Sequence, residues 1–387
     1  MKNLSLLEHT LQLYYYKNKH NIPGISVAIA KDGKLIYANG FGYADTTNRI
    51  LITPKSQFRT ASCGKTITAF GIIKLIEDNK LHFDDKVFGI DGILNGENYS
   101  DIVDENIYQI TVKNLLQQTI GWPDIDIIGE NDASYALNER IPAGIRENVK
   151  YILKQHLDFP PSTAYRYSDF NYLFLGEIIS KITNKDHPDY IISEILNPIG
   201  IYNTIPGKSS KEEREENEVV YYDFNCETAP SAFDTSKIVP LSYSYNMKPM
   251  ISSGGWISTP IDMIKLILAI DGIDKPEDIF SKETIEIMST PPQNIKSKYA
   301  MGMRVDRSSW RHTGQCTWGT SALWHKIHED NICYAITCNT LPTTNGTEEE
   351  KYEAMIAPII EMMKLIPNTI KEFTNYPKKD LFEQYIY

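Results

Sequence analysis

The chain has 387 residues, 42% hydrophobic and 23% charged, the balance of a soluble globular protein with material for one elaborate domain or two interlocked ones. A formal net charge of −11 argues against nucleic acid or an anionic membrane as partner. Five scattered cysteines do not form a disulfide framework, and Cys333 and Cys338 in one β-prone run should point to opposite faces.

In chain order, Leu4, Leu6, Leu7, Leu11 and Leu13 are interrupted by Glu8, His9 and Gln12. That pattern predicts an amphipathic first helix, not a signal peptide, and no stretch reaches the length of a membrane span. The expected compartment is the cytoplasm. Residues 25–30 and 35–40 are β-prone runs around Asp32-Gly33, a strong hairpin signal. Helices are predicted over the apolar run 66–76 and over 112–118, 146–156, 172–182 and 190–196. The charged stretch 208–227 reads as a solvated surface excursion. A helix at 261–270 follows, then strands at 300–305, 320–327 and 332–339, and a closing helix at 351–365.

This order predicts an α+β fold: an antiparallel sheet flanked by N- and C-terminal helices, with a large all-helical domain inserted. The expected division is 1–60 with 250–366 as a discontinuous sheet domain, 61–249 as the insertion, and 367–387 as an extension. That extension carries Phe373, Tyr376, Phe382, Tyr385 and Tyr387, and should dock on its own body or on a second copy in a homo-oligomer.

The chemistry centres on Ser62-Cys63-Gly64-Lys65. A serine at a helix start lies where free backbone N–H groups favour developing negative charge. Lys65, three residues on, returns to the same helix face and can approach the Ser62 hydroxyl. A serine beside a buried lysine is one route to an activated nucleophile. Alone, S-x-x-K arises about once by chance in a chain of this length, and Ser62 as a plain helix N-cap is the alternative. Tyr167-Ser168-Asp169 precedes an apolar run and could aim a tyrosine at a neighbouring proton. The same triplet at Tyr99-Ser100-Asp101 lacks that run. His312-Thr313-Gly314 sits where strands resume, and Gly314 would let a backbone come close.

These three elements, in this order, resemble those of the serine β-lactamase and penicillin-binding-protein superfamily. The closer likeness is to the branch with class C β-lactamases, family VIII carboxylesterases and D-stereospecific aminopeptidases. It spans roughly residues 20–340 and includes Phe58-Arg59-Thr60-Ala61-Ser62, Leu81-His82-Phe83-Asp84-Asp85, the stretch from Leu115 to Trp122, and Ser253-Gly254-Gly255.

The resemblance implies a β-lactamase/transpeptidase-like fold and a serine hydrolase that forms an acyl-enzyme on Ser62. Lys65 and Tyr167 would share the proton work, with Tyr167 the base or relay. Burial would lower the pKa of Lys65, and nearby positive charge that of Tyr167. The N–H groups of Ser62 and Gln315 would form the oxyanion hole. His312, Asp169 and Gly314 would complete the site, with Trp256, Trp318 and Tyr221 lining the acyl pocket. His312 stands where β-lactamases usually carry lysine, and Asp169 where many relatives carry asparagine. The first change weakens the grip on a substrate carboxylate, and the second could hold Lys65 protonated.

The expected substrate is a small ester, amide or D-amino-acid-containing peptide. Acyl transfer from the same intermediate and a non-catalytic binding module are the alternatives. Cys63 reads as a buried small residue. His325-Lys326-Ile327-His328 reads as solvent-facing, with no suitably spaced ligand for a metal. Neither metal nor cofactor is called for.

Overall fold

The structure, a computed structural model, describes residues 2–18, 22–125, 127–223, 226–273, 277–316, 319–341, 361, 364–366 and 380–385. Helix α1 is Lys2–Asn18, and the chain then enters β1 (Gly24–Lys31) and β2 (Lys34–Asp45). The turn between them has positive φ at both Asp32 (52°) and Gly33 (75°), as a two-residue hairpin loop requires. A short β3 (Ile50–Leu51) follows.

After the helical middle of the chain come β4 (Arg304–Asp306), β5 (Ser309–Cys316), β6 (Thr320–Ile327) and β7 (Ile332–Cys338). They join the first three strands in one seven-stranded sheet, ordered β4-β5-β6-β7-β1-β2-β3. The two ends of the chain meet where β1 pairs antiparallel with β7, Ile25 opposite Cys338.

The two-residue alternation of strands sorts side chains between two cores. Ile25, Val27, Ile29, Leu323, Tyr334, Ile336 and Cys338 face one side, packed with Leu11 and Tyr14 of α1. Ala28, Ala30, Ala322, Trp324, Cys333 and Ala335 face the other. Cys333 and Cys338 therefore lie on opposite faces, and no disulfide forms among the described residues. The inner face is rich in alanine, which lets helices approach closely. Its core continues without a break into α2 (Gly64–Glu77), α3 (Asp169–Thr183) and α4 (Pro260–Leu268). Helix α2 is buried nearly all round, because Phe70, Ile72, Ile73 and Leu75 meet neighbours on several sides.

Three expectations are corrected. Of the expected strand 300–305 only 304–305 is extended, as part of β4. Tyr299, Ala300 and Met301 instead form a buried turn under α2, where the Ala300 N–H donates to Met303 O (2.8 Å) and Thr66 Oγ1 to Gly302 O (2.7 Å). The stretch 208–227 is not surface throughout: Glu218, Val219, Val220 and Tyr221 are buried, between an exposed first half and an exposed Cys226 and Glu227. Third, His325, Lys326 and His328 do not face solvent as a group. Lys326 is fully buried in an ion pair with Asp271 (2.5 Å), His325 is buried against the Tyr334 hydroxyl (2.7 Å), and His328 stacks edge-on to Trp310. Helices cover both faces of this sheet, so His325 and Lys326 do not reach water, while His328 is half-buried.

Of the expected closing helix, residues 351–360 lie outside the described residues, while Glu361 and 364–366 are helical. The extension ends in a 3-10 turn, Leu381–Tyr385, docked on its own chain: Leu35 N–H donates to Asp380 Oδ1 (3.0 Å), and Leu381, Phe382 and Tyr385 pack on the core. Phe373, Tyr376 and Tyr387 lie outside the described residues. Among the described residues no helix is long and apolar enough to cross a membrane.

Candidate active site

Ser62 is presented by a braced, strained turn. The short strand Phe58–Arg59 pairs with Trp256–Ser258, Arg59 opposite Ile257. The Arg59 guanidinium is buried, lies 4.2 Å from the Tyr221 ring centroid, and donates to Ser242 O (2.5 Å) and Lys208 O (3.2 Å). Ala61 then takes φ +44°, a left-handed backbone that alanine adopts only when its surroundings enforce it. Ser62 follows in a one-turn 3-10 helix, Ala61–Cys63, that runs straight into α2. Strand β5 passes so close that a Cβ on Gly314 would stand 2.2 Å from Thr60 O and 3.0 Å from the Ser62 nitrogen. Only glycine fits there, and the next residue is Gln315.

Helix geometry carries Lys65 back over the serine. Its Nζ donates to Ser62 Oγ at 3.1 Å and to Ser253 O at 2.8 Å. It also lies 2.5 Å from Asp169 Oδ1, a charge contact without hydrogen-bond alignment, at the first residue of α3. Lys65 is fully buried, while the Asp169 side chain keeps some solvent contact. The ammonium also faces the rings of Tyr167 (4.8 Å) and Tyr172 (5.8 Å). Three remote segments thus meet at one amine.

The lowering expected for the Tyr167 pKa does not occur. Burial first, then the Asp169 carboxylate, hold the phenol well above its ordinary range, with the Ser62 hydroxyl as the largest opposing contact. That contact falls short of full hydrogen-bond geometry, so the Tyr167 hydroxyl is buried without a partner among the described residues. Tyr167 is a neutral phenol here.

His312 is locked and neutral. Its Nδ1–H donates to Thr313 O (2.7 Å), because a carbonyl can only accept, which leaves Nε2 to accept from the Tyr299 hydroxyl (3.2 Å). Burial, then the Lys65 charge, push its pKa down to about 3. The Tyr299 hydroxyl is also 3.4 Å from that of Tyr172, which donates to Leu116 O. Tyr299 stands edge-on to Tyr167, ring centroids 5.8 Å apart. Nothing in its local sequence marks Tyr299 as part of the site. Only the buried turn under α2 brings it there.

The expected pocket residues do not gather at the serine. Tyr221 is buried, donating to Glu218 Oε1 (2.7 Å) and accepting from Arg59 N (2.9 Å). Trp256 is fully buried, with its ring 6.0 Å from that of His187. Both are packing residues that support the turn from beneath. Trp318 lies outside the described residues. Cys63 is buried, its thiol pushed upward by burial, and Sγ lies 3.5 Å from His312 O. Among the described residues no cluster of three or more His, Cys, Asp or Glu could hold a metal ion.

With this geometry in hand, relatives can be placed. Protein flp of Staphylococcus aureus (strain COL) is 31% identical over 206 residues, covering 52% of this chain and 37% of that protein. Penicillin-binding protein 4* of Bacillus subtilis (strain 168) is 31% identical over 208 residues, covering 52% and 41%. The chain thus matches less than half the length of these two relatives. The D-amino acid amidase from Ochrobactrum anthropi SV3, solved with L-phenylalanine amide, superposes with TM-score 0.69 at 20% identity, over 96% of this chain and all of that one. The octameric penicillin-binding protein homologue from Pyrococcus abyssi gives TM-score 0.67 at 23% identity, over 93% and 77%. FmtA from Staphylococcus aureus gives 0.68 at 19%, over 96% and 91%. At these identities the three structures establish the fold, antiparallel sheet and helices together. The family model described as Beta-lactamase matches residues 6–357, and the chain belongs to the β-lactamase family.

Proposed function

We propose that this protein is a serine hydrolase that opens a small ester, amide or D-amino-acid-containing peptide through an acyl-enzyme on Ser62. The observation that carries the reading is the convergence on Lys65 Nζ of Ser62 Oγ (3.1 Å), Asp169 (2.5 Å) and the Tyr167 ring (4.8 Å). The D-amino acid amidase among the solved relatives fits that substrate range.

Ser62 Oγ bonds to the substrate carbonyl carbon. Its proton passes to the Tyr167 oxygen as that phenol gives its own proton to the departing alcohol or amine, and the bond to the leaving group breaks. A relay of this kind needs a neutral phenol, which a raised pKa supplies. Lys65, in contact with both Asp169 and Ser62 Oγ, stabilises the charge developing on that oxygen. The N–H groups of Ser62 and Gln315 take the carbonyl oxygen, a contribution of roughly 3 kcal/mol each. Water then reverses the steps and frees the acid. A neutral His312, capped by Tyr299, offers no cation to a substrate carboxylate, so this reading favours uncharged acyl groups.

Buried thiols at Cys63, Cys333 and Cys338 that form no disulfide suit a reducing compartment, and the cytoplasm is the proposed location. Hydrolysis of a p-nitrophenyl ester, a chromogenic cephalosporin and a D-amino-acid anilide, each against Ser62→Ala, ranks the substrate classes. Loss of turnover in that variant supports the reading, and retention overturns it.

A further inference from the structure

Lys65 can serve Ser62 only if its amine is aimed, and one of the groups that aims it is the carbonyl of Ser253 (2.8 Å). That carbonyl lies in a tight turn in which the N–H groups of Ser253, Gly254 and Gly255 all reach Met250 O. One residue earlier, Ser252 O accepts from Thr68 Oγ1 at 2.7 Å. Thr68 lies three residues after Lys65 on α2, so the two side chains share a helix face and grip successive carbonyls.

Behind Thr68 stands His187. Its Nε2 is 3.0 Å from Thr68 Oγ1. The Thr68 proton is committed to the Ser252 carbonyl, so the imidazole must donate from Nε2. Burial pushes its pKa down to about 3, leaving the ring neutral, and it lies against the buried Trp256. Helix α3 closes the other side: a Cβ on Gly176 would stand 2.7 Å from Ser252 Cβ and 3.7 Å from His187 Cγ. Asp169, the counter-ion of Lys65, begins that same helix.

We propose that His187 and Thr68 are positioning residues for the reaction. They form a buried strut, from imidazole to hydroxyl to the Ser252 carbonyl, that fixes the Ser253 carbonyl and through it the Lys65 amine. This inference rests on the Ser62 acylation reading. Packing alone would be indifferent to the hydroxyl of Thr68 or to a donor at the Nε2 position; an aiming device is not.

The test uses the full chain with a fluorophosphonate and a p-nitrophenyl ester, on wild type, Thr68→Val, Thr68→Ser, His187→Ala and His187→Gln, with thermal unfolding in parallel. Thr68→Val keeps the shape and removes the hydroxyl. His187→Gln keeps a donor near the Nε2 position. Expected is a loss of about tenfold in both labelling rate and kcat for Thr68→Val and His187→Ala, with KM within about twofold. Thr68→Ser and His187→Gln should recover to within about threefold of wild type. If His187→Ala does not fold, the Thr68→Val and Thr68→Ser pair decides alone. Wild-type rates in a folded Thr68→Val protein, or equal losses in the conservative and non-conservative variants, would overturn the inference. No adduct on wild type would overturn the acylation reading and this inference with it, whereas a wild-type adduct with unchanged variant rates overturns the inference alone.

Discussion

Asp169 Oδ1 lies 2.5 Å from Lys65 Nζ, and the lysine of that pair is the fully buried partner. Asp169 supplies the carboxylate in contact with that amine, whose other partners are the Ser62 hydroxyl and the Ser253 carbonyl. Replacing Asp169 by Asn removes that charge and should loosen the aim of the amine on Ser62. Asp169→Asn is expected to lose at least about tenfold in kcat, with KM within about twofold. Steady-state kinetics on a p-nitrophenyl ester check this, and an unchanged kcat would count against the ion pair's role.

Tyr167 is expected to matter most for poor leaving groups. Its phenol is neutral, so it acts by handing a proton on. Tyr167→Phe should slow both an anilide and a p-nitrophenyl ester, because the Ser62 proton loses its acceptor, and the anilide further, by about 10²–10⁴, because its leaving amine also needs a proton. Equal losses on the two substrates would contradict a relay.

Gly314→Ala tests the close approach of β5 to the nucleophile turn. The new methyl would stand 2.2 Å from Thr60 O, backbone that cannot step aside cheaply. A loss of about 1–3 kcal/mol in urea unfolding is expected, together with loss of labelling at Ser62. Wild-type labelling would mean that the strand can retreat without harm to the site.

The buried histidines make the fold acid-sensitive. Burial pushes the pKa of His187 and His312 down to about 3 and that of His325 to about 4. The unfolded chain takes up these protons near the ordinary imidazole value of about 6.5, so their stabilisation is fully present above that pH and falls as pH drops toward 4. Each contributes a slope of up to about 1.4 kcal/mol per pH unit in that window. Glu177, Glu218 and Asp262, whose carboxyls burial raises, oppose the trend, so the clean reading is a difference. His325→Asn should show a smaller fall in Tm from pH 7 to 4.5 than wild type.

How much of this was legible depended on how local each cause was. The hairpin at Asp32-Gly33, the helix after Ser62 and the opposite-facing Cys333 and Cys338 follow from turn chemistry and periodicity within a few residues. Ser62, Lys65, Tyr167 and Asp169 were found because each sits in a short pattern, though only the folded chain sets the Lys65–Asp169 distance. Tyr299, Thr68 and His187 were invisible: their partners are at least thirteen positions away in sequence, at His312, Ser252 and Thr68. The misreading of His325 and Lys326 has a similar origin. A local count of polar residues does not reveal that Asp271 waits inside to pair with the lysine.

Acylation of Ser62 is read out by intact-mass analysis of the full chain after incubation with a fluorophosphonate. One adduct is expected on the wild type, mapped to the peptide holding Ser62, and none on Ser62→Ala. An adduct that persists in Ser62→Ala, or a wild type that takes no adduct from any serine-directed electrophile, would contradict it.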